Sequence, residues 1–304
     1  MRKYLSLTKR NCLVFLKDRA AVFFSLMSML IVLMLMGVFL GSMNVESITE
    51  ILEEYGGVRD ALQDKENAVH LVQYWTLAGL MVVNALTVTL TVIGVMVNDM
   101  SENKMESFYC APVRKAVIAL AYISAAVVIG TLFCLITLAV SLIYICATGG
   151  SLVSLGAILQ IVCYTFMNVC IFALIMYFAA LCAKSSSAWS GISVIVGTLV
   201  GFLGAIYLPM GNLPEAVANV LKYIPILHGT ALMRQVCCRE ALELTFTGMP
   251  EQAVTAYKEF MGITIVMGDN VINSMTSIFF LIGCGLAAMI AIMIIAGKKN
   301  ISDR

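Results

Sequence analysis

The sequence predicts an all-α membrane protein with six transmembrane helices, an N-terminal interfacial helix, and re-entrant outer helices before the last span. Of the 304 residues, 61% are hydrophobic and only 12% are charged. A water-soluble domain of this length cannot bury so large an apolar excess. The net charge of +1, without a block of Lys or Arg, also argues against nucleic-acid binding. A multi-spanning membrane protein is the class that remains.

The charge-free stretches locate the spans, because a charged side chain at the bilayer centre costs roughly 2.5–3.5 kcal/mol. Asp, Glu, Lys and Arg are absent from five windows, at 20–45, 67–98, 116–183, 185–214 and 270–297. A span needs about 20 residues, so the third window holds two, separated by Gly149-Gly150 and nearby serines. We therefore predict spans at about residues 20–43, 75–98, 117–146, 157–182, 190–208 and 273–296.

The distribution of Lys and Arg predicts the orientation. The side that holds both termini and the loops after the second and fourth spans carries 13 of the 19 Lys and Arg residues. Cytoplasmic loops are enriched in these residues, so both termini are predicted to be cytoplasmic, in a plasma membrane. The outer loops then cover about residues 44–74 and 209–272, and the inner loop after the second span covers about 99–115.

Residues 1–19 are predicted to form a helix on the inner leaflet, ahead of a single transmembrane domain at 20–304. Lys3, Arg10 and Lys17 recur every seven residues on one arc of a helical wheel. A second arc carries Tyr4, Leu5, Thr8, Cys12, Phe15 and Leu16. Such a two-sided helix lies in the interface with its basic face toward anionic headgroups. A charged topology anchor without a further task is the alternative.

The outer loops contain two further helical signals. Ser47 and Glu50 have the spacing of a capping box, and apolar residues follow at helical intervals at Ile48, Ile51, Leu52 and Tyr55. In the second outer loop, Pro209 and Pro214 break the fifth span, and Pro225 interrupts an apolar run at 216–236. This run is too broken for a straight seventh span, so we predict a re-entrant or interfacial helical pair.

Polar residues and glycines inside the spans are candidates for lining a solute path. A polar group in lipid must face protein or water, and glycines permit close helix approach. The candidates are Asn84, Thr87 and Thr91 in the second span and Gly197, Gly201 and Gly204 in the fifth. For the polar residues, a hydrogen bond to a neighbouring helix is the alternative and commoner explanation.

The sequence lacks the signatures of an enzyme or a metal protein. It contains no G-x-x-x-x-G-K-[ST] phosphate loop, so ATP is not hydrolysed by that route in this chain. Its two histidines and ten scattered cysteines form no metal-binding or disulfide pattern. No span carries a charge near its centre, which argues against an ion-coupled carrier. We therefore predict a transport subunit without a cofactor, driven by a separate ATPase.

Three stretches resemble the ABC transporter permeases of type 2, the exporter class with the ABCG-like fold. The N-terminal Lys9-Arg10-Asn11, followed by a segment from Phe15 to Arg19, looks like the family's opening. The inner loop has an acidic start, a central Met105-Glu106 and a Pro-Val-Arg-Lys end, and is similar to the family's coupling segment. The outer Leu213-Pro214, Ile224-Pro225 and Arg234 look like its LP…P…R pattern.

This resemblance implies that the inner loop docks on an ABC ATP-binding subunit, which binds the ATP and Mg²⁺. Apolar contacts would be Met105, Phe108 and Tyr109; Pro112 would end the short helix; and the polar rim would be Glu102, Lys104, Glu106, Arg114 and Lys115. It also implies an outer valve at Pro209, Pro214, Pro225 and Arg234.

The resemblance further implies a second permease copy, as a homo- or heterodimer, in a bacterial plasma membrane. The exported solute would be amphipathic or hydrophobic: a drug, a lipid, a peptide or a glycan precursor. Two other functions stay open on the sequence. One is an ATP-independent channel, and the other is a membrane-embedded sensor or immunity protein that binds a peptide through its outer regions.

Overall fold

The computed structural model describes residues 2–35, 41–55, 60–110, 113–183, 185–268 and 270–302. The first seven helices are α1 (Arg2–Lys17), α2 (Arg19–Leu35), α3 (Gly41–Tyr55), α4 (Ala61–Ser101), α5 (Lys104–Cys110), α6 (Lys115–Ala147) and α7 (Leu155–Cys182). The others are α8 (Ser186–Leu203), α9 (Glu215–Leu221), α10 (Pro225–Cys237), α11 (Arg239–Thr245), α12 (Glu251–Phe260) and α13 (Ser274–Ser302). A 3₁₀ turn at Met210–Asn212 and an antiparallel pair of two-residue strands, β1 (Val266–Met267) and β2 (Asn270–Val271), complete the outer region.

Five helices in the described ranges are long and apolar enough to cross a membrane. They are α4, α6, α7, α8 and the segment Ser274–Ile295 of α13. The predicted all-α membrane fold is therefore confirmed. The predicted first span begins with the apolar α2, but residues 36–40 of that span lie outside the described residues. The count of six spans stays a prediction.

The helix α4 lies at the centre of the protein. It packs against α6 and α7 along much of its length, and also against α2, α3, α8, α10 and α11. Glycines let two neighbours approach closely: a Cβ on Gly79 would lie 2.9 Å from Cγ1 of Ile206, and one on Gly94 would lie 3.0 Å from Nε1 of Trp189. Between Tyr74 and Val97 every residue of α4 is buried except Thr87 and Thr91, which are half-buried.

The first outer loop contains more helix than the sequence indicated. The helix of the second span begins at Ala61 rather than near 75, because Asp60 caps it by accepting a hydrogen bond from the Leu62 amide at 3.0 Å. The helix α3 carries the expected amphipathic pattern, with Ile48 and Leu52 buried. Ser47 lies inside α3, so its interpretation as a helix cap was wrong.

The later spans fall close to their predicted positions. Between α6 and α7 the chain turns at Gly149, whose φ of +90° favours glycine, and Ser154 caps α7 by accepting from the Ala157 amide. The fifth span ends at Leu203, five residues before the predicted end at 208, because Gly204 and Ala205 turn the chain. Ala205 has a φ of +49° in this turn.

The second outer loop folds into short helices, two of which occupy the broken apolar run. Pro214 precedes α9 at its N-cap, and Pro225 occupies the first turn of α10, where proline needs no amide hydrogen bond. The helix α10 packs against α4, α7 and α13 and is buried over most of its length. The interrupted run therefore forms a helical pair, while its re-entrant placement in a bilayer stays a prediction.

Candidate functional site

The candidate coupling segment is the short helix α5, which directly follows α4 at the predicted cytoplasmic end. The turn between them passes through Asn103, whose φ of +58° is one that asparagine tolerates better than most residues. On the side that faces away from the other helices, α5 and this turn carry exposed polar side chains. These are Glu102, Asn103, Lys104, Glu106 and Ser107, with Glu102 and Lys104 forming an exposed ion pair.

Two apolar side chains of α5, those of Met105 and Phe108, point toward the protein's own helices. Phe108 is half-buried beneath Arg10 of α1, whose guanidinium carbon lies 5.4 Å from the ring centre. Met105 is also half-buried, and the hydroxyl of Tyr122 in α6 lies 3.7 Å from its Sδ. In the single chain, both side chains thus hold α5 in place. Their contact with an ATPase subunit stays a prediction.

A charged cluster adjoins this inner side of α5. Arg10 binds Asp99, near the end of α4, through the two terminal nitrogens of its guanidinium: Nη2 donates to Oδ1 at 2.9 Å and Nη1 donates to Oδ2. The hydroxyl of Tyr122 donates to Oδ2 of Asp99 at 2.6 Å. Asp99 is only 3% exposed. Its carboxylate raises the pKa of Arg10 through the paired hydrogen bonds.

The remaining predicted coupling residues flank this segment. Arg114 occupies the N-cap position of α6 and is exposed, as is Lys115 in the first turn. Tyr109 belongs to α5. Pro112 lies outside the described residues.

The predicted solute-path residues of α4 differ in what they bind. Asn84 is buried and donates from Nδ2 to the hydroxyl of Thr137 in α6 at 2.6 Å. This is a hydrogen bond to a neighbouring helix, the alternative to lining a solute path. Thr87 and Thr91 donate instead to carbonyls of their own helix, those of Val83 and Thr87. Only these two threonines interrupt the burial of α4 in its middle.

The three glycines predicted to line the solute path, two in α8 and one at its C-cap, have three different surroundings. A Cβ on Gly197 would meet open space, whereas one on Gly201 would clash with the ring of Tyr207. Gly204 lies beside Ile206 and Thr230. Several apolar side chains of α8 are exposed in the single chain, among them Val194, Ile195, Leu199 and Phe202.

One of the predicted valve residues, Arg234, is a buried arginine. Arg234 is 0% exposed and donates to three carbonyls, those of Ala205 at 2.7 Å, Met261 at 3.1 Å and Gly262 at 3.2 Å. Burial lowers the pKa of Arg234 to about 9, so the side chain is still a cation at neutral pH. Pro209 begins the 3₁₀ turn that follows α8.

The family model described as ABC-2 type transporter matches residues 2–237. The chain belongs to the ABC-2 type transporter family. No curated protein matches it. The matched residues begin with α1 and end with α10, so they include the coupling segment, the charged cluster beside it and Arg234. The chain is thus a permease subunit of an ABC-2 transporter, and the predicted resemblance is confirmed.

The main feature of this ABC-2 permease that the sequence did not reveal is the Arg10–Asp99–Tyr122 cluster. The helical wheel placed Arg10 on a basic stripe with Lys3 and Lys17, and a stripe of that kind predicts contact with solvent or headgroups. Only a weak signal was available: Arg10 is the sole arginine in the stripe, and arginine suits paired recognition of a carboxylate. Among the described residues, no group of His, Cys, Asp and Glu could hold a metal ion.

Proposed function

We propose that this permease is the membrane subunit of an ATP-driven exporter, which moves an amphipathic or hydrophobic solute out of the cytoplasm with a separate ATPase subunit. The observation that carries the proposal is the two-sided helix α5. Its outer side is polar and exposed, and its inner side packs on α1 and α6. A docking element needs both properties, since it must be accessible to a partner and firmly attached to the part that moves.

The exposed charges of α5 and its flanks are the proposed docking surface. Glu102, Lys104, Glu106, Arg114 and Lys115 all lie on the exposed side of the inner loop. Charged residues at the rim of an interface fix its register and speed encounter with a partner of complementary charge. The half-buried Met105 and Phe108 connect this surface to the membrane helices and touch the partner at most with their exposed edges.

The solute path is proposed to lie between two copies of the permease, along α4 and α8. Two observations support this placement. Thr87 and Thr91 are the half-buried positions in the otherwise buried middle of α4, and α8 carries an exposed apolar face with an open Gly197. A second copy that covers α8 would enclose these surfaces.

In the proposed cycle, ATP binding draws two ATPase subunits together, and each α5 moves with the subunit docked on it. The path then changes from inward-facing to outward-facing. Linkage requires that ATP and solute each bind one of these states more tightly than the other. The helices α9 and α10, with Arg234 and the three prolines before and within them, form the valve at the outer exit.

The experiment that tests the proposal is affinity purification of the tagged, full-length chain in mild detergent, followed by mass spectrometry of what co-purifies. We expect an ABC ATP-binding subunit with the parent chain. The charge-reversed variant Glu102→Lys with Glu106→Lys should lose it. The matched control reverses two exposed glutamates of α12, Glu251→Lys with Glu259→Lys, and should retain it.

The proposal fails if the parent chain purifies without an ATPase and its membranes show no solute-stimulated ATP hydrolysis. A channel or a sensor would then be the better description. If an ATPase co-purifies equally with all variants, the partner is real but the docking surface on α5 is wrong.

A further inference from the structure

One cluster of side chains connects four helices at the end of the protein where α5 lies. Arg10 comes from α1, Asp99 from α4 and Tyr122 from α6, and the three are joined by hydrogen bonds. The same Arg10 and Tyr122 also touch α5, through Phe108 and Met105 respectively. Both of these contacts with α5 are therefore made by a side chain that also binds Asp99.

The buried carboxylate makes this arrangement specific. Asp99 is 3% exposed, so its charge needs compensation from within the protein. Arg10 supplies a two-point ionic contact, and Tyr122 supplies a third hydrogen bond to the same carboxylate. Removing Arg10 or Tyr122 leaves the buried carboxylate of Asp99 with an unsatisfied oxygen, which is more disruptive than losing an exposed ion pair. The side chain of Arg10 itself is 31% exposed. Both side chains are thus fixed in orientation by Asp99.

The helix α5 depends on contacts of this kind. It has seven residues, and an isolated helix of that length is not stable in water. Its inner face meets the protein through Phe108 beneath Arg10 and Met105 beside Tyr122, with Val113 half-buried nearby. The orientation of α5 therefore follows from the orientation of the two side chains that Asp99 fixes.

We propose that Arg10, Asp99 and Tyr122 are positioning residues that hold α5 rigidly against α1, α4 and α6. A force on the outer face of α5 then reaches the central helix α4 instead of tilting α5 alone. The transmission part of this inference rests on the proposed function, because it needs a docked ATPase. The positioning part does not, since it concerns contacts within one chain.

Hydrogen–deuterium exchange on the full-length chain in nanodiscs, without a partner, tests the positioning. In Asp99→Asn and in Arg10→Gln, exchange in peptides that cover residues 104–110 should be faster by about tenfold or more, because the local opening equilibrium of α5 shifts. Exchange in α10 should be unchanged. Arg10→Lys keeps the charge without the two-point contact and should give an intermediate rate. Lys17→Gln, which removes an exposed cation of the same stripe, should match the parent.

Two results would overturn the positioning. Exchange at 104–110 that stays at the parent rate in both variants would mean that α5 is held by something else. Faster exchange by the same factor in α5 and α10 would mean that the cluster supports the whole fold and has no particular effect on α5.

The assembled transporter in nanodiscs tests the transmission. With the parent permease, ATP should change exchange at the outer end of α4, in peptides covering 60–80. With Asp99→Asn the ATPase should still bind, because the outer face of α5 is unaltered, and the response at 60–80 should be lost. A full response in this variant would refute the transmission. If no ATPase binds even the parent, the proposed function fails, and the exchange of the isolated chain still decides the positioning.

Discussion

Arg234 and Trp75 both donate a hydrogen bond to the carbonyl oxygen of Met261, at 3.1 and 2.9 Å, while the guanidinium lies 4.2 Å from the centre of the indole ring. A buried cation is here stabilised by an aromatic face and three carbonyls, with none of its described hydrogen bonds going to a carboxylate. The contact joins α10 to α4 and to the turn after α12. These contacts hold the side chain of Arg234 in place within the outer region.

Replacing this arginine should destabilise the protein. Arg234→Met leaves the carbonyls of Ala205 and Gly262 without this donor, while the carbonyl of Met261 keeps its bond from Trp75. Each unsatisfied group costs about 1–3 kcal/mol, so the total loss should be about 2 kcal/mol or more. Thermal unfolding in detergent measures the effect. The exposed neighbour Arg239 provides the control, and Arg239→Met should unfold like the parent. Equal melting temperatures for both variants would contradict the role assigned to Arg234.

The hydrogen bond between Asn84 and Thr137 should contribute modestly to stability. Thr137→Val removes the acceptor of the Asn84 amide within the membrane domain, and such bonds contribute about 0.6 kcal/mol on average. The double variant with Asn84→Leu should recover part of this loss, because both polar groups are then replaced. Equilibrium unfolding in mixed micelles gives the double-mutant cycle. Zero coupling energy would show that the bond does not join α4 and α6.

Gly197 and Gly201 of the fifth span should differ in their tolerance of alanine. A methyl group on Gly201 meets the ring of Tyr207, so Gly201→Ala should lower the melting temperature of the chain. Gly197→Ala should leave it unchanged, because the space beside Gly197 is open. If a second copy packs on α8, the bulkier Gly197→Leu should shift the chain from dimer to monomer in light-scattering measurements. A dimer that persists in Gly197→Leu would place the interface elsewhere.

Acid should destabilise the protein through His228. This side chain is 2% exposed, hydrogen-bonded to Ser277 and the carbonyl of Lys222, and burial lowers its pKa below the ordinary 6.5. As pH falls below that value, the unfolded chain takes up the proton first, so stability that is full above pH 6.5 declines on acidification.

Melting temperatures between pH 7.5 and 5.5 should therefore fall less steeply in His228→Gln than in the parent. Ser277→Ala removes a hydrogen-bond partner without removing the titrating group, and it should lower the melting temperature while keeping the parent's pH dependence. Parallel curves for the parent and His228→Gln would exclude this histidine as the cause.

The spans could be predicted from the sequence because the cost of a charge in lipid acts locally, at each position of a segment. Windows without charge therefore mark α6, α7 and α13 to within a few residues. The sequence does not predict that α4 extends back to Ala61, because a helix that continues outside the lipid can carry charged residues and so does not show as a charge-free window. Only the cap at Asp60 ends it.

The charged cluster was beyond sequence reasoning for a different reason. Arg10 and Asp99 are 89 positions apart, and helical periodicity reports which residues share a face without reporting what covers that face. The same holds for Met105 and Phe108. Their apolar character indicates a packed surface, and the tertiary structure shows that part of this surface is covered by Arg10 and Tyr122 of the same chain.

The continuous helix α4 connects the predicted inner and outer sides of the protein. Asp99 and Trp75 are 24 positions apart on one helix without proline, which corresponds to about 36 Å. The cluster that positions α5 and the anchor around Arg234 thus contact one continuous helix at points about 36 Å apart, and between them α6 and α7 pack on that helix. In the proposed transport cycle we expect α4 to tilt together with the helices packed on it, so that opening at one end and closing at the other are two aspects of a single movement.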